Sequence, residues 1–323
     1  MPSRRSFISF AGATGACAAF FGFQHRWHPP LPAQPGPTAS ATATASATAT
    51  PSATASAVAS AAPAPSATAT PTPAPVASSA PAVTSSMPTG TLVSNGTTWK
   101  QVYAEDFLRD AAVGSIQSVY PAMGYYQSGR DTTGYGRYAP NQVLSVSNSM
   151  LDFHMRTVNG QPLAAAILPD NYAPHVHARV SIRYRADLIT GYKFVGILWP
   201  SSNIWNEGEI DWPEADLVGR PRPASALAGT LGRGKGGNPI FYPPAEMFAA
   251  TDQSQFHVAT TEWTSSAVRF YWDDTLIATV TQGVPTKPMR VTMQAETWVN
   301  EGAPSTSSDG HIEIDWITIY EAV

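Results

Sequence analysis

Charge is scarce in this chain: only 13% of its 323 residues are Asp, Glu, Lys or Arg, about half of the roughly 25% usual in globular domains. The deficit is local. Between Arg26 and Lys100 there is no charged residue, and the stretch is almost wholly Ala, Thr, Ser and Pro. Such a composition cannot bury enough apolar surface to offset its ordering entropy, which excludes a packed domain and predicts a semi-stiff tether over residues 29–98. Cysteine is nearly absent too. The one cysteine, Cys17, precedes the tether, so the rest of the chain is built without an internal disulfide. Long apolar runs are also missing: Phe7 to Phe23 is modestly apolar and short of the roughly 20 residues a spanning helix needs.

That first segment begins Ser3-Arg4-Arg5-Ser6-Phe7-Ile8, which resembles the twin-arginine export motif. Residues 1–28 therefore read as a bacterial export signal, and the protein as secreted. The alternative is an uncleaved membrane tether.

What a core requires lies after the tether. Eight of the nine tryptophans and every acidic residue fall from Trp99 onward, so residues 99–323 are expected to form one domain. Sixteen of the 19 basic residues and all 23 acidic ones lie there, a net charge of −7. This argues against a nucleic-acid partner. No protein partner is implied, and a monomer is expected. Helical periodicity is hard to find, whereas short runs alternate with period two between Gly, Pro, Asn, Asp and Ser. Strands are predicted over Met150–Met155, Val176–Tyr184, Val268–Trp272, Thr275–Val280 and His311–Tyr320, with Asp273-Asp274 as a turn. So many strands in one domain predict an all-β, two-sheet antiparallel sandwich or jelly roll.

One segment breaks the ordinary pattern. In Gly208-Glu209-Ile210-Asp211-Trp212-Pro213-Glu214, a regular strand would put Glu209 and Asp211 on one face and Glu214 on the other. Proline inside a sheet marks an edge or a bulge, and a bulge at Pro213 would return Glu214 to the face of the other two. Three carboxylates on one face repel, and no Lys or Arg within the segment relieves them. Catalysis explains what structure does not: a retaining glycosidase needs an ionised and a protonated carboxyl roughly 5 to 5.5 Å apart, with neighbouring charge separating their pKa values. The chain carries its own control. Glu313-Ile314-Asp315-Trp316 repeats the four letters from Glu209 without a third acid, and reads as a half-buried strand.

Sugar rings stack on aromatic faces, which makes Trp199, Trp205, Trp212 and Trp298 candidates for a glycan platform. Trp263, Trp272 and Trp316 sit in regular alternation and read as packing. His257, on a strand near Trp263, is a candidate cleft residue or a half-buried histidine. His175-x-His177 lacks a third metal ligand and reads as structural. The glycines at 232, 234 and 237 precede too many prolines to open a nucleotide-binding helix; they predict a loop at the cleft rim, carrying Arg233 and Lys235.

The acidic segment resembles the active-site strand of glycoside hydrolase family 16, the laminarinase, lichenase and agarase family, in its bulged form Glu-x-Asp-x-x-Glu. Trp205-Asn206-Glu207-Gly208-Glu209 is similar to that family's lead-in. Phe256-His257 through Glu262-Trp263, Phe270-Tyr271-Trp272-Asp273 and Ile314 to Tyr320 are similar to its later strands. The resemblance implies a concanavalin-like jelly roll with a concave cleft, Glu209 as nucleophile, Glu214 as acid/base, and Asp211 as the residue that tunes the nucleophile. Gln294 and Trp298 lie where the family lines its cleft. No cofactor is required, although the aspartate matching Asp315 helps hold a structural calcium in some members. One departure stands out: the strand after the catalytic one often carries a histidine in the family, and here residues 226–233 read Ala-Leu-Ala-Gly-Thr-Leu-Gly-Arg. The expected activity is retaining endo-hydrolysis of a β-1,3 or mixed β-1,3/1,4 glucan. A transglycosylase with the same site, or a glycan-binding module, are the alternatives.

Overall fold

Strands that alternate apolar and polar residues bury one face, and the stable way to cover that face is a second sheet. The computed structural model describes residues 86–219, 221–243, 253–298 and 302–323. The expected export signal and most of the tether lie outside the described residues. The rest forms two packed antiparallel sheets, the expected all-β sandwich. An outer sheet is built around the closing strand Asp309–Ala322. One edge of that strand pairs with Met150–Val158 and then Thr97–Glu105. Its other edge pairs with Ala178–Ala186, and the sheet continues through His257–Trp263 and Val268–Trp272 to Thr275–Val280. The inner sheet runs Phe241–Tyr242, Arg222–Ala226, Glu209–Asp216, Tyr192–Pro200, Met289–Thr297, Gln161–Leu168 and Gly124–Tyr125. Among the described residues the α-helices are two four-residue turns, Ile116–Val119 and Pro140–Val143. None is long and apolar enough to cross a membrane.

Turn chemistry sets several boundaries. Asp273 and Asp274 adopt φ of 49° and 61°, the paired left-handed conformation of a two-residue hairpin, and the strands on either side span the predicted residues. The strand predicted from Val176 starts instead at Ala178, because His177 has φ of 62° and breaks the extended run. The tether also ends earlier than residue 98. Thr91–Ser94 pairs with Thr97–Glu105 across Asn95-Gly96, at φ of 49° and 75°. Asn-Gly is a strong hairpin signal, here flanked by Thr, Val and Ser that match the tether's composition.

The space between the sheets is filled by Phe153, Phe194, Trp263, Phe270, Ile312, Ile314, Ile317 and Ile319, all fully buried. The closing strand shifts register between Ile314 and Trp316. Ile317 and Ile319 therefore continue the core face, while Trp316 is buried outside that cluster. Tyr192–Pro200 is covered on both faces. Phe194 and Leu198 enter the core between the sheets, while Val195, Ile197 and Trp199 form a second cluster against Trp205. That second face is the floor of the site.

Candidate active site

Alternation along Glu209–Asp216 sends Ile210 and Trp212 into the core and leaves Glu209 and Asp211 on the opposite face. Two steps along each neighbouring strand then match three along this one. Asp211 lies opposite Ile197 and Ala224, and Glu214 opposite Val195 and Arg222. The extra residue is a β-bulge at Trp212-Pro213, and it brings Glu214 round to join the other two acids. Gly196 makes room for it: a Cβ there would stand 2.6 Å from the Trp212 carbonyl oxygen and 2.9 Å from Ile182 Cδ1. Glycine at 196 is what permits so close an approach of the two backbones.

Glu209, Asp211 and Glu214 line one open cavity, with Trp199, Trp205 and Phe241 among its walls and Lys193, Thr132, Gln294 and Trp298 also facing it. Trp199 and Trp205 stack with ring centroids 6.4 Å apart, and Phe241 is tilted against Trp205. Trp205 has a second duty, since its indole Nε1 donates to Glu209 Oε2 at 2.6 Å.

The three carboxyls are not equivalent. Burial pushes Glu209 up to about 7; the Trp205 hydrogen bond opposes this, Glu214 adds to it, and Lys193 and a hydrogen bond with Asp211 oppose it. Burial also raises Asp211 well above the carboxylate range, helped by the charges of Glu209 and Glu214 and opposed by Lys193 and Arg222. A side-chain hydrogen bond links Asp211 to Glu209, while Asp211 Oδ1 has no hydrogen-bond partner. Glu214 is ion-paired instead, its Oε2 2.6 Å from Arg222 Nη2. Glu209 and Asp211 are thus buried side by side, whereas Glu214 meets a guanidinium. Neighbouring carboxyls held in unlike surroundings are what acid, base and nucleophilic chemistry on a single face draws on.

A family model, glycosyl hydrolases family 16, matches residues 132–318, more than half of the chain. The chain belongs to glycosyl hydrolases family 16. It is accordingly a glycoside hydrolase, and its sandwich is the family's jelly roll. Solved structures agree on the fold. The endo-β-1,3-glucanase from Pyrococcus furiosus is 16% identical, with 73% of this chain and 99% of that one covered and a TM-score of 0.56. The laminarinase from Rhodothermus marinus is 18% identical, with 70% and 98% covered and a TM-score of 0.54. A structure from work on endo-acting O-glycanases that initiate mucin breakdown in the human gut microbiota is 15% identical, with 68% and 98% covered and a TM-score of 0.53. No curated protein sequence matches the chain.

This cavity gathers seven of the nine residues expected from sequence. Trp212 is a correction. Its parity with Ile210 places it in the core, 3% exposed, edge-on to Phe270 and Trp272 and donating to the Tyr271 carbonyl. His257 is the other. It lies on the outer sheet, stacked on Trp272 at 4.5 Å and paired with Asp273 at 2.6 Å, and does not line the cavity. The loop at 229–238 hydrogen-bonds to Asn206 beside Trp205, but Arg233 and Lys235 are exposed and do not line the cavity. The histidine pair separates: His175 is buried between Asp170 and Glu321, whereas His177 packs edge-on to Trp263. Asp315 is ion-paired with Arg183. The carboxylate that the resemblance would give to a calcium is thus paired with a guanidinium.

Sequence reasoning missed Lys193, Arg222, Thr132 and Phe241. Lys193 had a signal, being the one charged residue in the run Tyr192–Pro200. Arg222 had none short of the strand register that sets it opposite Glu214.

Proposed function

We propose that this family 16 hydrolase cleaves a β-linked polysaccharide internally by double displacement, with Glu209 as nucleophile and Glu214 as acid/base. The observation that carries the reading is the bulge that brings Glu214 onto the face of Glu209 within one cavity. In the first step Glu214 protonates the glycosidic oxygen as the bond to the anomeric carbon breaks, and the Glu209 carboxylate forms an ester with that carbon. Glu214 then takes a proton from water, the hydroxyl attacks the same carbon, and Glu209 leaves with configuration retained. Arg222, paired with Glu214, stabilises the charge Glu214 acquires when it gives up its proton. Asp211, hydrogen-bonded to Glu209, orients it. Trp199, Trp205 and Phe241 offer flat apolar faces for sugar rings. β-1,3 or mixed β-1,3/1,4 glucan is the proposed substrate class, supported by the glucanase and laminarinase relatives. The twin-arginine-like start supports export, with the protein acting as a monomer and without a cofactor.

Anomer-resolved NMR during digestion of laminarin, lichenan and agarose tests the reading. Retention of the β-anomer on laminarin or lichenan is expected, with a loss of at least a thousandfold in Glu209→Gln. Inverted product, or a Glu209→Gln variant as active as the parent, would overturn it. Products longer than the substrate at high acceptor concentration would instead mark a transglycosylase.

A further inference from the structure

Away from the hydrolytic site, the outer sheet carries a cluster of a different chemistry. His154 on Met150–Val158 and His311 on the closing strand are direct cross-strand partners. Their imidazole rings stack 4.3 Å apart at 17°. His154 Nε2 lies 3.1 Å from Asp309 Oδ1, and His311 Nδ1 lies 2.9 and 3.0 Å from the two oxygens of Asp152. One ligand atom each from His154, Asp309 and His311 falls within 4.8 Å of the other two, the one such His-carboxylate trio among the described residues.

Asp152 accepts from Nδ1 of His311, which fixes the tautomer that leaves Nε2 as the lone-pair nitrogen; a carboxylate behind the ring is how proteins orient metal-binding histidines. Two imidazoles and one carboxylate form the donor set of zinc and its neighbours rather than of calcium or magnesium, which take oxygen ligands. A tetrahedral site with bonds of about 2.0 Å has ligand atoms roughly 3.3 Å apart. The His154–Asp309 pair is already that close, and the Asp309 side chain, 61% exposed, is free to draw in. We infer that His154, Asp309 and His311 form a binding site for zinc or a similar divalent transition metal, with Asp152 holding His311, that clips Met150–Val158 to the start of the closing strand. Water completes the coordination. The site sits on the outer sheet, so it acts on stability rather than on hydrolysis.

The test uses the full chain without a polyhistidine tag. Calorimetric titration with zinc chloride should give one tight site per chain, with a dissociation constant in the micromolar range or below. A rise in melting temperature of several degrees should accompany it, and neither effect should appear with calcium or magnesium. His154→Gln and His311→Gln should each weaken binding at least a hundredfold, and Asp152→Asn about 10- to 100-fold, all with glycan hydrolysis unchanged. X-ray absorption of the zinc-loaded parent should show two imidazoles and oxygen, a readout independent of how the variants fold. Absence of a site tighter than about 100 micromolar, undiminished binding in the two histidine variants, or a bound zinc without imidazole scattering would each overturn the assignment.

Discussion

Lys193 is the side chain on which the site's charge balance turns. It is 8% exposed, its Nζ lies 3.5 Å from the fully buried Glu296, and it faces the cavity lined by Glu209, Asp211 and Glu214. Burial works against its charge, but Glu296, Glu214, Asp211 and Asp131 together hold its pKa above the ordinary value. Lys193→Met would leave Glu296 buried without its cation, a change that typically costs about 3 kcal/mol. A urea titration should show that loss, and Lys193→Met with Glu296→Gln should recover most of it. The same substitution removes a charge that lowers both Glu209 and Asp211. Since the nucleophile must be ionised, the acid limb of kcat/KM should lie near pH 7 in the parent and move to higher pH in Lys193→Met. An unmoved limb would show that Lys193 balances Glu296 alone.

In the strand Glu209–Asp216 the placement of Glu214 depends on one inserted residue, and Gly196 on the adjacent strand is packed against that insertion. Gly196→Ala puts a methyl group 2.6 Å from the Trp212 carbonyl, and a backbone atom in a bulge has little room to yield. Overpacking of this kind costs about 1–3 kcal/mol. A displacement of roughly 1 Å at the reacting groups costs about a hundredfold in rate. We expect Gly196→Ala to fold with a lowered melting temperature and to lose about a hundredfold in kcat with little change in KM. Full activity would mean that Glu214 does not depend on the bulge for its placement. Sequence could locate this bulge because Pro213 marks it and because three acids on one face have no structural use. It could not assign Trp212, whose place beside the catalytic letters suggested the cleft while its parity with Ile210 decided for the core. His257 failed for a related reason: alternation gives the face of a strand but not which sheet the strand joins. The start of the domain was hidden by composition, because the first hairpin is made of the same small hydroxyl and aliphatic residues as the tether. Lys193 and Arg222 were beyond reach until register paired their strands with Glu209–Asp216.

At the scale of the whole molecule, the buried ionisable groups give stability a definite slope with pH. Glu209, raised to about 7, and Asp211, raised well above its ordinary value, bind protons in the folded protein that the unfolded chain has released above about pH 4.5. Folding stability therefore falls as pH climbs through that window. His175 acts in the same direction. Burial opposes its charge, but Asp170 and Glu321 prevail and raise its pKa, so the stability it contributes is present below its ordinary value and is lost as pH rises through the folded one. Glu262 works at the other end. Despite its burial, hydrogen bonds from Ser94, Asn95 and Arg179 and the Arg179 charge lower its pKa, so its contribution disappears only as the solution becomes strongly acidic. The melting temperature should peak on the acidic side, near pH 5, and decline toward pH 9. Glu209→Gln separates the site's share from the rest. It should match the parent at pH 4, where both side chains are neutral, and exceed it at pH 8 by on the order of 3 kcal/mol in a denaturant titration. Ionising Glu209 is what the hydrolytic reading requires of the nucleophile, so activity should rise over the same pH range in which stability falls. A parent as stable at pH 8 as at pH 5, with Glu209→Gln no better, would mean that the nucleophile is solvated and that the cavity does not tune it.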